Sequence, residues 1–133
     1  MKTAVDSSIL LDVLSADPRY ASASERALRD AARSGALLAC PIVWAEVQSH
    51  FPRPEEMGAA MAAAGIVFDP FDEACAALAG KLWADYRRAG GSRQRLIADF
   101  LIGAHALTRA GARLLSRDRG FYRRYFPKLA VTV

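Results

Sequence analysis

Apolar and polar positions fall into blocks along this chain, with short apolar runs exchanging places with longer stretches of helical period. Lys2 to Asp6 reads as a short strand, and Ser7 to Leu14 as a helix that stops near Asp17-Pro18. Ser22 and Glu25 have capping-box spacing for a second helix that ends before Gly35. Ala36 to Cys40 is a second buried strand. Pro41 then suits the first turn of a helix through Glu46, broken by Phe51-Pro52-Arg53-Pro54. An alanine-rich helix runs on to Gly65, and Ile66 to Asp69 makes a third strand. Asp72 caps a long helix through Leu78, Leu82 and Tyr86 that stops at Gly90-Gly91, and a basic loop follows from Gly90 to Arg95. Ile97 to Ala110 is helical and closed by Gly111. Arg113 to Leu115 is a fourth strand, Arg117 to Tyr125 an irregular or short helical segment, and Leu129 to Val133 a last strand.

Apolar strands this short, separated by helices, imply parallel pairing with helices on both faces. The expected fold is α/β, a three-layer α/β/α sandwich around a central, mainly parallel sheet, with residues 1–133 forming a single domain. The sequence has no internal repeat, low-complexity tract or linker.

Composition adds constraints. With 53% apolar and 24% charged residues the chain fits an ordinary globular protein, and no apolar run approaches the ~18 residues needed to span a bilayer. Asp6 and Asp12 inside the first apolar stretch argue against a signal peptide, which implies a cytoplasmic location. Cys40 and Cys75 lie in apolar or alanine-rich sequence and read as reduced, buried thiols, without the spacing of a zinc or redox motif. The net charge is +4, from 18 basic and 14 acidic residues, and 15 of the bases are arginine. If four acids converge on a metal, the remaining residues carry about +8, a balance that suits a polyanionic substrate such as nucleic acid.

Four acids stand out by position. Asp6 ends the first strand, Glu46 sits about a turn into the helix after the second, Asp99 lies near the start of its own helix, and Asp118 follows Leu114-Leu115-Ser116 just beyond the fourth strand. Ligands of open α/β sheets bind beyond the carboxyl ends of the strands, so all four can point at one sheet edge. Each also has a plainer reading: Asp6 as a helix cap, Asp99 as a partner of its helix dipole, Asp118 as a partner of arginine in Arg117-Asp118-Arg119. Glu46, between Ala45 and Val47, would be expensive left unpaired. Gathered carboxylates resist joint ionisation, and hard cations such as Mg²⁺ and Mn²⁺ relieve that repulsion through oxygen ligands. Metal-assisted phosphate chemistry is the reading this favours. His50 at a helix end and His105, off the face of Asp99, read as structural. No Gly-rich phosphate loop or Gly-x-Ser-x-Gly elbow is present.

With those residues in place, the chain resembles PIN-domain ribonucleases of the VapC toxin type over essentially its whole length. The resemblance rests on Val5-Asp6-Ser7-Ser8-Ile9-Leu10, Val43-Trp44-Ala45-Glu46-Val47, Ala98-Asp99-Phe100-Leu101-Ile102-Gly103-Ala104-His105-Ala106-Leu107, and Leu114-Leu115-Ser116-Arg117-Asp118-Arg119-Gly120-Phe121-Tyr122. It implies that Asp6, Glu46, Asp99 and Asp118 bind one or two Mg²⁺ or Mn²⁺ ions. Ser116 stands where similar proteins often have threonine and keeps a hydroxyl for holding water or phosphate. The implied function is that of a toxin: an endoribonuclease leaving 5′-phosphate and 3′-hydroxyl ends, blocked by a small cognate antitoxin and forming a homodimer.

Arg87, Arg88, Arg93 and Arg95 flank the Gly90-Gly91 loop, and Arg117, Arg119, Arg123 and Arg124 flank the last acid. These are either a solvated basic face or contacts to the RNA backbone, with Arg93, Arg95, Arg117 and Arg119 the candidates closest to the acids. Tyr122, Tyr125 and Phe126 read as core before base-stacking groups. Two alternatives remain, a metal-dependent DNA or structure-specific nuclease and a non-catalytic module that grips RNA or protein. A phosphoacceptor receiver domain is excluded, because Asp6 has no acidic neighbour and Lys128 is misplaced.

Overall fold

In the computed structural model, Ala4 lies at the centre of a five-stranded sheet, paired with Leu38 on one side and Leu114 on the other. The structure describes residues 1–92 and 95–133. The strands are β1 (Thr3–Val5), β2 (Leu37–Ala39), β3 (Ile66–Phe68), β4 (Arg113–Leu115) and β5 (Ala130–Thr132), ordered β3-β2-β1-β4-β5 with every pair parallel. All residues of β1 and β2 are buried, as expected for strands covered on both faces.

Seven helices flank the sheet among the described residues: α1 (Ser7–Leu14), α2 (Ala21–Ser34), α3 (Pro41–Gln48), α4 (Pro54–Ala63), α5 (Glu73–Arg88), α6 (Ile97–Arg109) and α7 (Arg119–Tyr125). Parallel crossovers are right-handed. The chain moves outward from β1 to β2 and β3, then returns past β1 to β4 and β5, so α1–α4 lie on one face and α5–α7 on the other. The fold is the expected α/β/α sandwich. None of the described helices is long and apolar enough to cross a membrane.

Local differences from the sequence reading have physical causes. The strands are shorter because their last residues leave the ladder to cap helices, as Asp6 does for α1 and Cys40 for α3. The Ser22–Glu25 capping box is not used. Instead the Asp17 carboxylate accepts the backbone N–H groups of Arg19 and Tyr20 at 2.8 and 3.0 Å, and the helix starts at Ala21. Glu25 bonds Arg29 along the exposed face. Past Asp118 the chain takes the short helical form of the two expected, as α7. Gly111, just beyond α6, adopts the left-handed φ of 61° that a helix-closing glycine supplies.

The core joins aliphatic residues such as Ile9, Leu10, Val43 and Val47 to an aromatic group of Tyr86, Phe100, Phe121, Tyr122, Tyr125 and Phe126. Phe100 and Phe121 meet edge-on with centroids 5.2 Å apart. The two cysteines are free and buried, and burial pushes the Cys40 thiol up to about 11. His105 is buried as expected, but it is also hydrogen-bonded. Its Nε2 lies 2.8 Å from the Asp69 carboxylate, which Arg109 also grips at 2.7 and 3.2 Å. Arg109 extends to Asp72, the cap of α5, so this cluster ties the β3–α5 connection to α6. The Arg109 hydrogen bonds, ahead of that from His105, hold the Asp69 carboxyl below its ordinary value.

Gly103 places α6 against this core. A Cβ there would lie 2.4 Å from the ring of Phe126, itself 1% exposed and unable to swing away. Alanine normally improves a helix interior by about 1 kcal/mol over glycine, whereas overpacking costs roughly 1–3 kcal/mol. Gly103→Ala is therefore expected to lower the midpoint of thermal or urea unfolding, and an unchanged or raised midpoint would show that α6 and Phe126 are not in this contact.

Candidate active site

Asp6 sits where β1 hands over to α1, beside the point where the chain's direction across the sheet reverses between β1 and β4. Its Oδ1 accepts the backbone N–H of Ser7 at 2.8 Å, and its Oδ2 accepts the hydroxyls of Ser116 at 2.7 Å and Ser8 at 3.4 Å. The side chain is buried, with the residue 7% exposed. Ser116, fully buried, follows β4, and its hydroxyl also accepts the backbone N–H of Asp118 at 3.0 Å. One hydroxyl therefore links the ends of two adjacent strands and the first acid to the fourth.

Glu46 joins from α3 through the Ser7 hydroxyl, which donates to its Oε1 at 3.0 Å and lies 3.5 Å from Asp6 Oδ1. Asp99, third residue of α6, accepts the backbone N–H of Leu96 at 3.1 Å, a position the helix dipole also favours. Asp118 is held by neither flanking arginine. Arg95, from the segment before α6, bonds its Oδ2 at 2.5 Å and its Oδ1 at 3.2 Å, with the guanidinium 4.4 Å from the centre of the Phe121 ring.

The charges of these groups reach one another. Burial raises the Asp6 carboxyl above its ordinary value, its hydrogen bonds oppose the rise, and the charge of Asp118 adds to it. The Glu46 carboxyl is raised by partial desolvation first, against the Ser7 bond, and also by Asp6 and Asp99. The buried Tyr122 phenol beneath them is pushed well up by burial and then by Asp6, Asp99 and Asp118 together. Ser7 therefore bridges Asp6 to Glu46, Ser116 bridges Asp6 to the backbone of Asp118, and the charge of Asp99 reaches Glu46.

Among the described residues no three His, Cys, Asp or Glu side chains stand at the separation that would hold one ion in this arrangement. Asp118 is turned onto Arg95 and Asp99 onto its helix start. The donors fit a hard divalent cation nonetheless: they are carboxylate oxygens, one deeply buried, and among the described residues one guanidinium, that of Arg95, pairs with them.

The candidate arginines divide. Arg93 lies outside the described residues. Arg117 bonds Asp12 through Nε at 2.8 Å and Nη2 at 3.0 Å and stacks 4.0 Å from the centre of the Tyr20 ring. Asp12, 3% exposed, also accepts the Ser24 hydroxyl at 2.7 Å. Arg119, Arg123 and Arg124 are exposed on α7. Asp12 and Ser7 are the residues that sequence reasoning passed over. Asp12 lies between Leu11 and Val13, the same signal of a carboxylate in apolar surroundings that singled out Glu46.

The profile of the PIN domain family matches residues 3–127. The chain belongs to the PIN domain family. This PIN domain also shares its fold with a chain of the crystal structure of VapBC2 from Rickettsia felis bound to a DNA fragment from their promoter. The two align with a TM-score of 0.74 at 20% identity, over 99% of this chain and 98% of the other. A chain of VapBC-1 from nontypeable Haemophilus influenzae aligns with a TM-score of 0.72 at 15% identity, over 99% and 97%. A comparison with curated proteins finds no match.

The elevated Asp6 carboxyl has a sign that can be checked in the metal-free PIN domain. A folded-state value above the ordinary 3.8 means that ionisation costs the native state more than the unfolded one. Stability should fall as pH rises from 3.8 through the folded-state value. Asp6→Asn keeps an acceptor oxygen but has no charge to desolvate. In EDTA its melting temperature is expected to exceed that of wild type at neutral pH, with the gap closing below pH 3.8. A lower melting temperature at neutral pH would mean that the buried charge is fully compensated.

Proposed function

We propose that this PIN domain is a Mg²⁺- or Mn²⁺-dependent endoribonuclease and the toxin of a toxin–antitoxin pair, acting in the cytoplasm. The observation that carries this reading is the joining of Asp6 to Asp118 through Ser116 and to Glu46 through Ser7, with Asp99 in electrostatic reach. A divalent cation held by Asp6, Asp99, Glu46 and Asp118 would supply an activated water for in-line attack on phosphorus and offset charge on the leaving 3′ oxygen.

The chain's own contribution is placement. Ser116 fixes the orientation of Asp6 and the backbone at Asp118, and Ser7 holds Glu46 towards the same point. Arg119, exposed at the start of α7, and Arg93, two residues before Arg95 in sequence, are suited to the phosphate backbone, where they position RNA without choosing its sequence. Arg117 acts at one remove, by anchoring the β4–α7 connection to Asp12. Support for the toxin role comes from the fold shared with chains of two VapBC structures. A small antitoxin whose tail covers the acid pocket is the natural partner, and a homodimer the natural assembly.

Purified Asp6→Asn and Asp99→Asn proteins are expected to lose RNA cleavage by roughly hundredfold or more while keeping the wild-type circular dichroism spectrum. Chelation by EDTA should silence the wild type, and added Mg²⁺ or Mn²⁺ should restore it. Equal cleavage by wild type and Asp99→Asn would end the catalytic assignment. The same assay on single-stranded DNA decides against a DNA nuclease if RNA alone is cut. RNA binding with no turnover on either polymer would make the domain a binding module.

A further inference from the structure

Among the described residues, Arg95 is the cation that pairs with the acid set. Its guanidinium spans both oxygens of Asp118 at 2.5 and 3.2 Å and stands in electrostatic reach of Asp99. The bonds described for the other three carboxylates come from neutral donors: the hydroxyls of Ser7, Ser8 and Ser116 and the backbone N–H groups of Ser7 and Leu96. A forked guanidinium laid across a carboxylate occupies the lone pairs that a metal ion would need. The pair is also accessible, with the side chains of Arg95 and Asp118 31% and 40% exposed, so water screens it and it can exchange.

The surroundings of Arg95 suit exchange as well. Its backbone adjoins Leu96, the N-cap of α6, whose N–H is bonded by Asp99, so the residue is anchored at the site. The Phe121 ring gives the planar guanidinium a surface on which it can shift while keeping its stacking.

Resting on the nuclease reading, we propose that Arg95 is a resident counter-ion: it holds Asp118 until a divalent cation takes that carboxylate, and the released guanidinium then turns to the phosphate of the bound RNA. One side chain thus opposes metal loading and assists cleavage. An ordinary structural ion pair would do neither, and a remote RNA contact would leave metal affinity unchanged.

The test is calorimetric titration of MnCl₂ into the full chain as wild type, Arg95→Gln, Asp118→Asn and the double variant, alongside RNA cleavage. Arg95→Gln is expected to bind Mn²⁺ roughly fivefold more tightly, the scale of a half-exposed ion pair that no longer competes, yet to cleave RNA more slowly. On the Asp118→Asn background the same substitution should leave Mn²⁺ affinity unchanged. Weaker or unaltered Mn²⁺ binding by Arg95→Gln in the Asp118 background overturns the proposal. If that variant does not fold, nitrogen-detected NMR of the wild type decides the matter: the Arg95 Nε–H resonance should move on addition of MgCl₂, and a resonance that stays in place overturns it. Absence of Mn²⁺ binding by the wild type would sink the nuclease reading together with this one. Mn²⁺ binding lost in Asp6→Asn but indifferent to Arg95→Gln would remove the counter-ion role alone.

Discussion

A carboxylate buried at the end of a central strand must find donors, and the neighbourhood of Asp6 is arranged to supply them. Ser7 and Ser8 come from the helix that Asp6 itself starts, and Ser116 comes from the strand alongside. The first two are local and follow from the sequence Asp6-Ser7-Ser8. The third requires β4 to lie beside β1 in the register that pairs Val5 with Leu115. A slip of one residue would turn Ser116 away and leave a buried charge without a major donor. The sheet register and the geometry of the acids are thus one constraint seen from two sides.

The basic character of the chain has a finer structure than its net charge suggests. Arg109 serves Asp69 and Asp72, Arg117 serves Asp12, and Arg95 serves Asp118. Those guanidiniums work inside the molecule, whereas Arg119, Arg123 and Arg124 on α7 are exposed. The positive charge left unpaired at the surface is therefore smaller than a count over the sequence.

Much of this was legible in the chain itself. The alternation of short apolar runs with helical stretches predicted the parallel sheet, and the placing of Asp6 at the end of the first strand and Asp118 just beyond the fourth was legible as well. Local chemistry was read well where it acts alone, as with Pro41 opening α3, Asp72 capping α5 and Gly111 closing α6. It failed where two local signals competed, and the Asp17 turn displaced the Ser22–Glu25 box. Partner choice was the least legible layer. Arg117 is next to Asp118 in sequence but bonds Asp12, and Asp118 instead receives Arg95 from 23 residues away. His105 illustrates the same limit, since its burial was expected whereas its bond to Asp69 depends on how β3 meets α6.

The contact between Ser116 and Asp6 spans 110 positions of chain. Such distant pairings form late and slowly compared with neighbouring ones. While the polypeptide is being made, every fragment ending before residue 116 carries the first carboxylate without its principal hydroxyl donor and without the fourth acid. A growing chain on the ribosome therefore lacks the full set of four acids until synthesis has passed residue 118.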